Sequence, residues 1–107
     1  FAWIPIPEGK VTLEKGGYLD KDTPFTVPAF EIAKYPATNA QFRLFIEAGG
    51  YQTDKWWTQA GLAQRNSDKW TQSRFWDDAK WNGADQPVVG VSWYEAVAFC
   101  LWLSETT

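Results

Sequence analysis

The residues best suited to chemistry in this 107-residue sequence are one cysteine, a few carboxylates and eight tryptophans, because the sequence contains no histidine. Without histidine there is no serine triad, no imidazole metal ligand and no side chain that titrates near neutral pH. Cys100 is the only candidate nucleophile. It lies on an apolar segment with no base to activate it, and a buried thiol of this kind is inert. We therefore predict a structural role for Cys100; the alternative is a disulfide with a cysteine of another chain.

The carboxylates form one adjacent pair, Asp77 and Asp78, with Asp85 nearby and Asp20 and Asp22 earlier in the chain. Paired acids can do acid–base chemistry or bind calcium, but neighbouring residues in a strand or helix point in different directions. The spacing matches no calcium-binding loop. We predict that these side chains lie in solvated loops.

Tryptophan makes up 8 of 107 residues, so indole packing must dominate the core. Three tryptophans lie in periodic segments and are predicted to be in the core: Trp3, Trp93 and Trp102. Five lie in a polar segment, where packing and ligand contact are both open: Trp56, Trp57, Trp70, Trp76 and Trp81. Exposed indoles stack on sugar rings and peptide side chains, and the first four are the candidate ligand-binding set. Because adjacent residues rarely both point inward, at least one of Trp56 and Trp57 is expected to be partly exposed.

The N-terminal third predicts β-structure. Residues 3–6 and 11–14 alternate on either side of a proline–glycine turn, which predicts a β-hairpin. Pro5 and Pro7 lack amide donors, so the first strand should lie at a sheet edge. In residues 25–34 the apolar phase shifts across Ala29 and Phe30, which predicts a bulge or bend near Pro28.

Two capping boxes mark helix starts. Thr38 and Gln41 open a first helix that ends at a Gly-Gly pair, and Ser92 and Glu95 open a second that runs through Leu103. The second helix is apolar on nearly every face and should be central and covered on most sides. Between them, residues 51–86 predict a long loop with one short helix near 54–60, and residues 87–91 predict a short apolar strand.

The charge balance excludes two classes of partner. A net charge of −3 and scattered basic residues argue against nucleic acid and against an anionic membrane surface. Mean hydropathy is −0.40, with no run that could span a bilayer, so the sequence predicts a soluble protein. One cysteine fits a reducing compartment and a shortened secreted protein alike; the compartment stays open, with the cytoplasm slightly favoured.

Four segments together resemble the formylglycine-generating enzyme (sulfatase-modifying factor) family. They are residues 3–9, residues 30–39 with Gln41, Phe42 and Phe45, residues 49–51, and residues 86–103. The last is the most specific, because a Pro-Val-x-x-Val-Ser-Trp-x-x-Ala run leads into a Cys-x-Trp-Leu helix. The resemblance implies an α+β fold of the C-type-lectin-like, formylglycine-generating-enzyme type, with residues 1–107 as the N-terminal portion of a single domain.

The resemblance also implies where the family's chemistry lies. The metal-binding cysteine pair and the calcium ligands belong to the family's C-terminal half, so we expect no catalytic residue and no cofactor in this chain. Calcium or copper is expected in the missing half. Cys100 matches a helix cysteine that is structural in such enzymes, and the caps Thr38 and Ser92 and the indoles of Trp93 and Trp102 are expected to be structural too.

Three functions fit the sequence. The leading hypothesis is a non-catalytic recognition or accessory module of bacterial type, with a protein or glycan ligand. The rival is a fragment of an active oxidase that converts cysteine to formylglycine in sulfatases, or of a related oxygen-using metalloenzyme such as the iron enzymes that form carbon–sulfur bonds. The third is a purely structural subunit. Because the last helix is so apolar, we expect the C-terminal half of the same precursor, cleaved in a loop, to complete the fold as a separate chain.

Overall fold

A two-stranded antiparallel ribbon makes up the first unit of the chain, which extends to Tyr35. The computed structural model describes residues 1–17 and 20–106. Each arm of the ribbon consists of two consecutive strands. One arm contains β1 (Trp3–Ile6) and β2 (Gly9–Leu13), and the other contains β3 (Thr23–Val27) and β4 (Phe30–Ala33). β1 pairs with β4, and β2 pairs with β3.

The predicted hairpin between residues 3–6 and 11–14 is wrong. Residues 7 and 8 do not reverse the chain, and β1 continues into β2, so the reversal falls between β2 and β3. Pro7 and Pro28 lie one on each strand within the break, and neither has an amide to donate to the ladder. Two prolines therefore interrupt the ladder without turning the chain.

The interruption predicted near Pro28 is present, but it is not a bulge. Ile6 pairs with Phe30 and Gly9 pairs with Val27, so the same number of residues separates the pairs on both strands. A bulge inserts an extra residue on one strand only, and none is inserted here. Trp3, predicted to be in the core, is 43% exposed and stacks on Phe1.

The second unit begins at Pro36 and is helical. Its first helix, α1 (Asn39–Glu47), begins with the predicted capping box: Thr38 Oγ1 accepts from the Gln41 amide and Gln41 Oε1 accepts from the Thr38 amide. Gly49 then adopts a φ of +80°, a left-handed conformation that glycine reaches without strain, so the helix ends where predicted.

The segment predicted as a long loop contains a helix that the sequence pattern missed. A 3-10 turn spans Asp54–Trp56, and α2 spans Gln59–Asp68 with Thr58 Oγ1 accepting from the Gly61 amide. Leu62 is the only large apolar residue of α2, so its sequence has no apolar stripe to reveal it.

The predicted strand at residues 87–91 is also wrong. A single β-bridge joins Pro87 to Thr38, and the Val88 amide donates to the Ala37 carbonyl. Pro87 has no amide and Gly90 has a φ of +71°, so a ladder cannot continue through the segment. The final helix, α3 (Trp93–Thr106), then begins with the predicted reciprocal bonds between Ser92 and Glu95.

The core of the helical unit is aromatic. Its buried apolar residues are Phe42, Phe45, Tyr51, Trp56, Trp57, Ala98, Phe99 and Leu103. Half-buried Trp102 packs on Phe45 with ring centroids 5.5 Å apart, as predicted for a core tryptophan. The rest of α3 is less covered than predicted: Trp93 is 77% exposed, and Cys100 and Leu101 are exposed beside it. A largely apolar helix therefore buries only one side against the described residues.

Gly50 offers a test of this core. A Cβ added at Gly50 would lie 2.2 Å from the Phe45 ring, which is fully buried and cannot move aside. We expect Gly50→Ala to lower the free energy of unfolding by about 1–3 kcal/mol, the usual cost of overpacking a core. Chemical denaturation measures it. Gly9→Ala is the control, because its Cβ meets nothing within 4 Å; equal stability of the two variants would contradict this packing.

Candidate functional site

A cavity of about 590 Å³ in the helical unit lies between the end of α2 and the start of α3. Small-molecule sites are typically clefts of this size, about 300–1,000 Å³. The residues that line it are Asp68, Trp70, Gln72, Arg74, Phe75, Gly90, Val91, Ser92 and Glu95. Two chain segments, residues 68–75 and 90–95, and three charged side chains therefore converge on one space.

Two backbone features shape this cavity. Lys69 adopts a left-handed conformation, with φ of 56°, that ends α2; the amides of Lys69 and Trp70 both donate to the Arg65 carbonyl. On the opposite wall the Arg74 amide donates to the Gly90 carbonyl at 3.3 Å. A Cβ at Gly90 would lie 2.8 Å from the Phe75 ring, so only glycine permits this close approach.

Glu95, one of the lining residues, belongs to a buried hydrogen-bonded pair with Tyr51. The Tyr51 hydroxyl donates to Glu95 Oε2 at 2.5 Å, and the Ser92 amide donates to Glu95 Oε1 at 3.0 Å. Tyr51 is 2% exposed and Glu95 is 3% exposed. Burial raises the pKa of Tyr51 far above its ordinary value, and the hydrogen bond and negative charge of Glu95 raise it further. Tyr51 therefore stays a protonated donor.

A buried arginine extends this network. Arg65 is 9% exposed; its Nη1 donates to the Tyr51 carbonyl at 3.0 Å and its Nη2 to Asp54 Oδ1 at 2.7 Å. Its guanidinium lies 5.5 Å from the centre of the Trp57 ring, whose indole N–H donates to the Gly50 carbonyl. These bonds fix the segment after α1 against α2.

The structure does not gather the four predicted ligand-binding tryptophans on one surface. Trp56 and Trp57 are both buried, so the expectation that one is partly exposed is wrong; Trp57 can turn inward because Gly50 satisfies its N–H. Half-buried Trp70 lies 6.4 Å from Trp57 between ring centroids and lines the cavity. Half-buried Trp76 packs on Phe42 away from the cavity lining.

The sequence pattern did not identify Glu95 as a lining residue of the cavity, nor Tyr51 and Arg65 as members of the hydrogen-bond network that Glu95 joins. From the sequence, Glu95 was predicted only as a capping residue, and neither Tyr51 nor Arg65 was predicted as a site residue. One signal was present: Glu95 is the only charged residue between Trp93 and Leu103. A lone carboxylate in so apolar a helix must find donors when it is buried, and this one does.

Cys100 lies on the exposed apolar side of α3, so the prediction that it is buried is wrong. Its segment is apolar, but the described residues leave that side uncovered. Partial burial still raises the pKa of the Cys100 thiol, in line with an unreactive side chain. A cavity of about 250 Å³ lies on this surface, and Trp93, Ala96, Val97, Cys100, Leu101 and Ser104 line it.

The paired carboxylates stay at the surface. Asp77 accepts from Gln72 Nε2 and Asp78 accepts from the Lys80 amide. Within residues 1–17 and 20–106, no group of three or more acidic or cysteine side chains lies close enough to hold a metal ion. No described helix combines the length and apolar character needed to cross a membrane.

The hydrogen bond between Tyr51 and Glu95 predicts how the free energy of unfolding depends on pH. Tyr51→Phe should lower the free energy of unfolding by about 1–3 kcal/mol at neutral pH, because a buried carboxyl oxygen loses its donor. Above about pH 10 the unfolded wild-type tyrosine ionises while the folded one keeps its proton. The free energy of unfolding of the wild type then falls by about 1.4 kcal/mol per pH unit because of this residue. The difference in free energy of unfolding between the wild type and Tyr51→Phe therefore narrows.

Chemical denaturation between neutral pH and pH 11 measures both effects. Tyr35→Phe is the matched control, because Tyr35 is exposed, and it should leave stability and its pH dependence unchanged. A constant gap between wild type and Tyr51→Phe across this range would show that the folded hydroxyl ionises normally.

The chain is similar to three hercynine oxygenases. It is 38% identical over 96 residues to that of Mycolicibacterium thermoresistibile, 34% over 97 residues to that of Mycobacterium tuberculosis and 31% over 110 residues to that of Mycolicibacterium smegmatis. These matches cover 78%, 78% and 92% of the chain but only 22%, 23% and 26% of the relatives. The chain thus spans about a quarter of their length.

The family model agrees with these relatives. It describes the sulfatase-modifying factor enzyme 1-like domain and matches residues 2–106. The small α+β architecture, with three α-helices and two small sheets in the described residues, is consistent with it. The resemblance drawn from the four sequence segments is confirmed: the chain belongs to the sulfatase-modifying factor enzyme 1-like family.

Proposed function

We propose that this chain is part of an oxygen-using enzyme and that it serves there as a scaffold for the active site. The observation that supports this most is the 38% identity over 96 residues to a hercynine oxygenase. The family is diverse, but three relatives with that printed name match 78% or more of the chain. The oxygen-using alternative therefore replaces the recognition module as the leading function.

The geometry supports the scaffold role. The Tyr51 hydroxyl and the Arg65 guanidinium join α2, α3 and the segment after α1 through bonds of 2.5 and 3.0 Å. Fully satisfied buried polar networks select one arrangement of the elements around them. Such rigidity is what an enzyme needs in the elements that position its reacting groups. In this proposal the chain's own residues fix the arrangement of these elements and keep water away from the buried carboxyl group of Glu95.

Oxygen chemistry requires a redox centre, and the acidic side chains described here do not cluster as metal ligands. We propose that the C-terminal half of the domain holds the redox metal, copper or iron, and that calcium bound there would be structural; we assign no metal ligand to this chain. The C-type-lectin-like arrangement of the complete domain is part of the same proposal.

A recognition module is the second candidate. It is favoured by the cavity walls, where the half-buried Trp70 and the partly exposed Phe75 present aromatic surface beside the polar side chains of Gln72 and Arg74. Aromatic faces next to a few polar groups suit a protein or glycan ligand. This candidate predicts binding without turnover.

Oxygen uptake separates the candidates. We expect the full-length protein, reconstituted with iron or copper, to consume oxygen when hercynine is added together with a thiol such as cysteine as the sulfur donor. Conversion of a sulfatase peptide cysteine to formylglycine, without hercynine-dependent uptake, would keep the enzyme but overturn the hercynine substrate. Ligand binding without uptake of oxygen for either substrate would overturn the enzyme and favour the recognition module.

We also propose that the C-terminal half, as a separate chain from the same precursor, covers the exposed apolar side of α3. Trp93 and Leu101 line this side, which carries no charged residue in its cavity lining. An apolar patch of this kind marks a contact surface. The relatives, about four times as long as their matched parts, contain ample chain to cover it.

Native mass spectrometry beside denaturing intact-mass measurement tests this assignment. We expect a complex that separates into two chains on denaturation, and we expect Leu101→Glu to weaken it at least about tenfold, since a buried charge costs over 1.4 kcal/mol. Leu44→Glu is the control, because Leu44 is an exposed leucine on α1. One continuous polypeptide would overturn the separate chain, and equal effects of the two variants would overturn the contact surface.

A further inference from the structure

We propose that a second, polar cavity of the helical unit binds a neutral sugar, with its pyranose ring stacked on the indole of Trp70. This polar cavity has a volume of about 410 Å³ and is lined by residues from the segment after α1 and from the end of α2. Four of its lining residues are Gln52, Asn66, Lys69 and Thr71. The inference goes beyond the proposed function, because it depends on this cavity alone and holds whether or not the protein uses oxygen.

The polar side chains of this cavity have hydrogen-bonding capacity that the protein leaves unused. Gln52, Lys69 and Thr71 are exposed, and their side chains make no hydrogen bond or ion pair with any described residue. Asn66 Oδ1 accepts from Nε and Nη2 of Arg65, while its Nδ2 donates to no residue within 1–17 and 20–106. Sugar hydroxyls both donate and accept, so they can pair with amide, ammonium and hydroxyl groups alike.

The end of α2 adds a backbone acceptor. The amides of Lys69 and Trp70 both donate to the Arg65 carbonyl, so no backbone amide in the described part of the chain reaches the Asn66 carbonyl. A carbonyl left over at a helix end is satisfied by a side chain, by water or by a ligand. A sugar hydroxyl is a suitable donor, since it brings no negative charge to the negative end of the helix dipole.

The charges around the polar cavity favour a neutral ligand. The guanidinium of Arg65 is already paired with Asp54, with Nη2 and Oδ1 2.7 Å apart. Lys69 is the other cation of the lining, and no described carboxylate lines the cavity. An amine or a zwitterion therefore finds no anion there, and a phosphate finds one exposed lysine at the negative end of a helix. An uncharged ligand with several hydroxyls meets neither obstacle.

Trp70 supplies the apolar part of the site. It is half-buried, it packs on Trp57 with 6.4 Å between ring centroids, and its amide donates to the Arg65 carbonyl at 3.0 Å. The indole is thus held in place before a ligand arrives, which lowers the entropic cost of binding. A pyranose has a face of C–H groups and a rim of hydroxyls, so it suits an indole surrounded by polar side chains.

Methyl glycosides test the proposal, with binding to the full-length protein followed by calorimetry and by saturation-transfer NMR. The probes are the methyl β-glycosides of D-glucose, D-galactose and N-acetyl-D-glucosamine. We expect at least one of them to bind with a Kd of about 0.1–10 mM, as a few hydrogen bonds and one stacked ring allow. Inorganic phosphate and L-phenylalanine are the charged comparison probes, and neither should compete with the glycoside.

Three variants locate the sugar. Thr71→Val and Gln52→Ala should each weaken glycoside binding about three- to tenfold, because each removes one hydrogen-bonding group. Trp70→Ala should weaken binding by at least about tenfold, since it removes the stacked ring. Gln59→Ala is the matched control for Gln52→Ala and should change no affinity, because Gln59 is an exposed glutamine outside the lining of this cavity.

Four outcomes would overturn the proposal. The first is no binding of any of the three glycosides up to about 50 mM, and the second is equal affinity in Gln52→Ala and Gln59→Ala. The third is binding of phosphate alone, which would assign the cavity to an anion. The fourth is glycoside binding that Arg74→Ala abolishes and Thr71→Val leaves unchanged, which would place the sugar in the other cavity.

Circular dichroism confirms that each variant keeps its helices, so a loss of binding is read only from folded protein. Gln52 and Thr71 are exposed and make no side-chain hydrogen bond with the described residues. Their variants therefore decide the test even if Trp70→Ala fails to fold. Oxygen uptake is measured separately, so a failure of sugar binding leaves the proposed function untouched.

Discussion

The bond between Tyr51 and Glu95 is the constraint on which the helical unit depends. Glu95 is 3% exposed in a core made of aromatic rings, and a carboxyl group in that setting is costly unless donors reach it. Two donors do, from Tyr51 and Ser92. Because one comes from the segment after α1 and the other from the cap of α3, the carboxyl group fixes both elements at once.

The aromatic core accommodates this polar pair and gives the buried indole N–H of Trp57 a partner. Tyr51 packs on Phe42, Phe45 and Trp57 while its hydroxyl reaches Glu95. The indole N–H of Trp57 meets a backbone carbonyl at Gly50, where a side chain would collide with Phe45. Close approach of the backbone at one glycine thus allows two adjacent tryptophans to be buried together.

Local signals in the sequence predicted local structure well. Both capping boxes are present as read, because a cap is a contact between residues three apart and needs no knowledge of the fold. The hairpin was wrong because pairing partners are not local: Pro7 interrupts a strand, and the residues opposite β1 lie at 30–33. α2 was missed because it has one large apolar residue and is held by Arg65 and a threonine cap.

The residues that line the cavity could also be predicted only in part, because their positions depend on non-local structure. Tryptophan content drew attention to the right segment, but only Trp70 of the four candidates lines the large cavity. What places it there is the left-handed turn at Lys69, a backbone feature on a residue with no sequence preference for it. Trp70 also lines a second cavity, with Tyr51 and Arg65 on its other side. The Trp70 indole therefore borders both cavities, and Arg65, whose carbonyl accepts from the Trp70 amide, links its position to the same Tyr51–Arg65 network that holds the core.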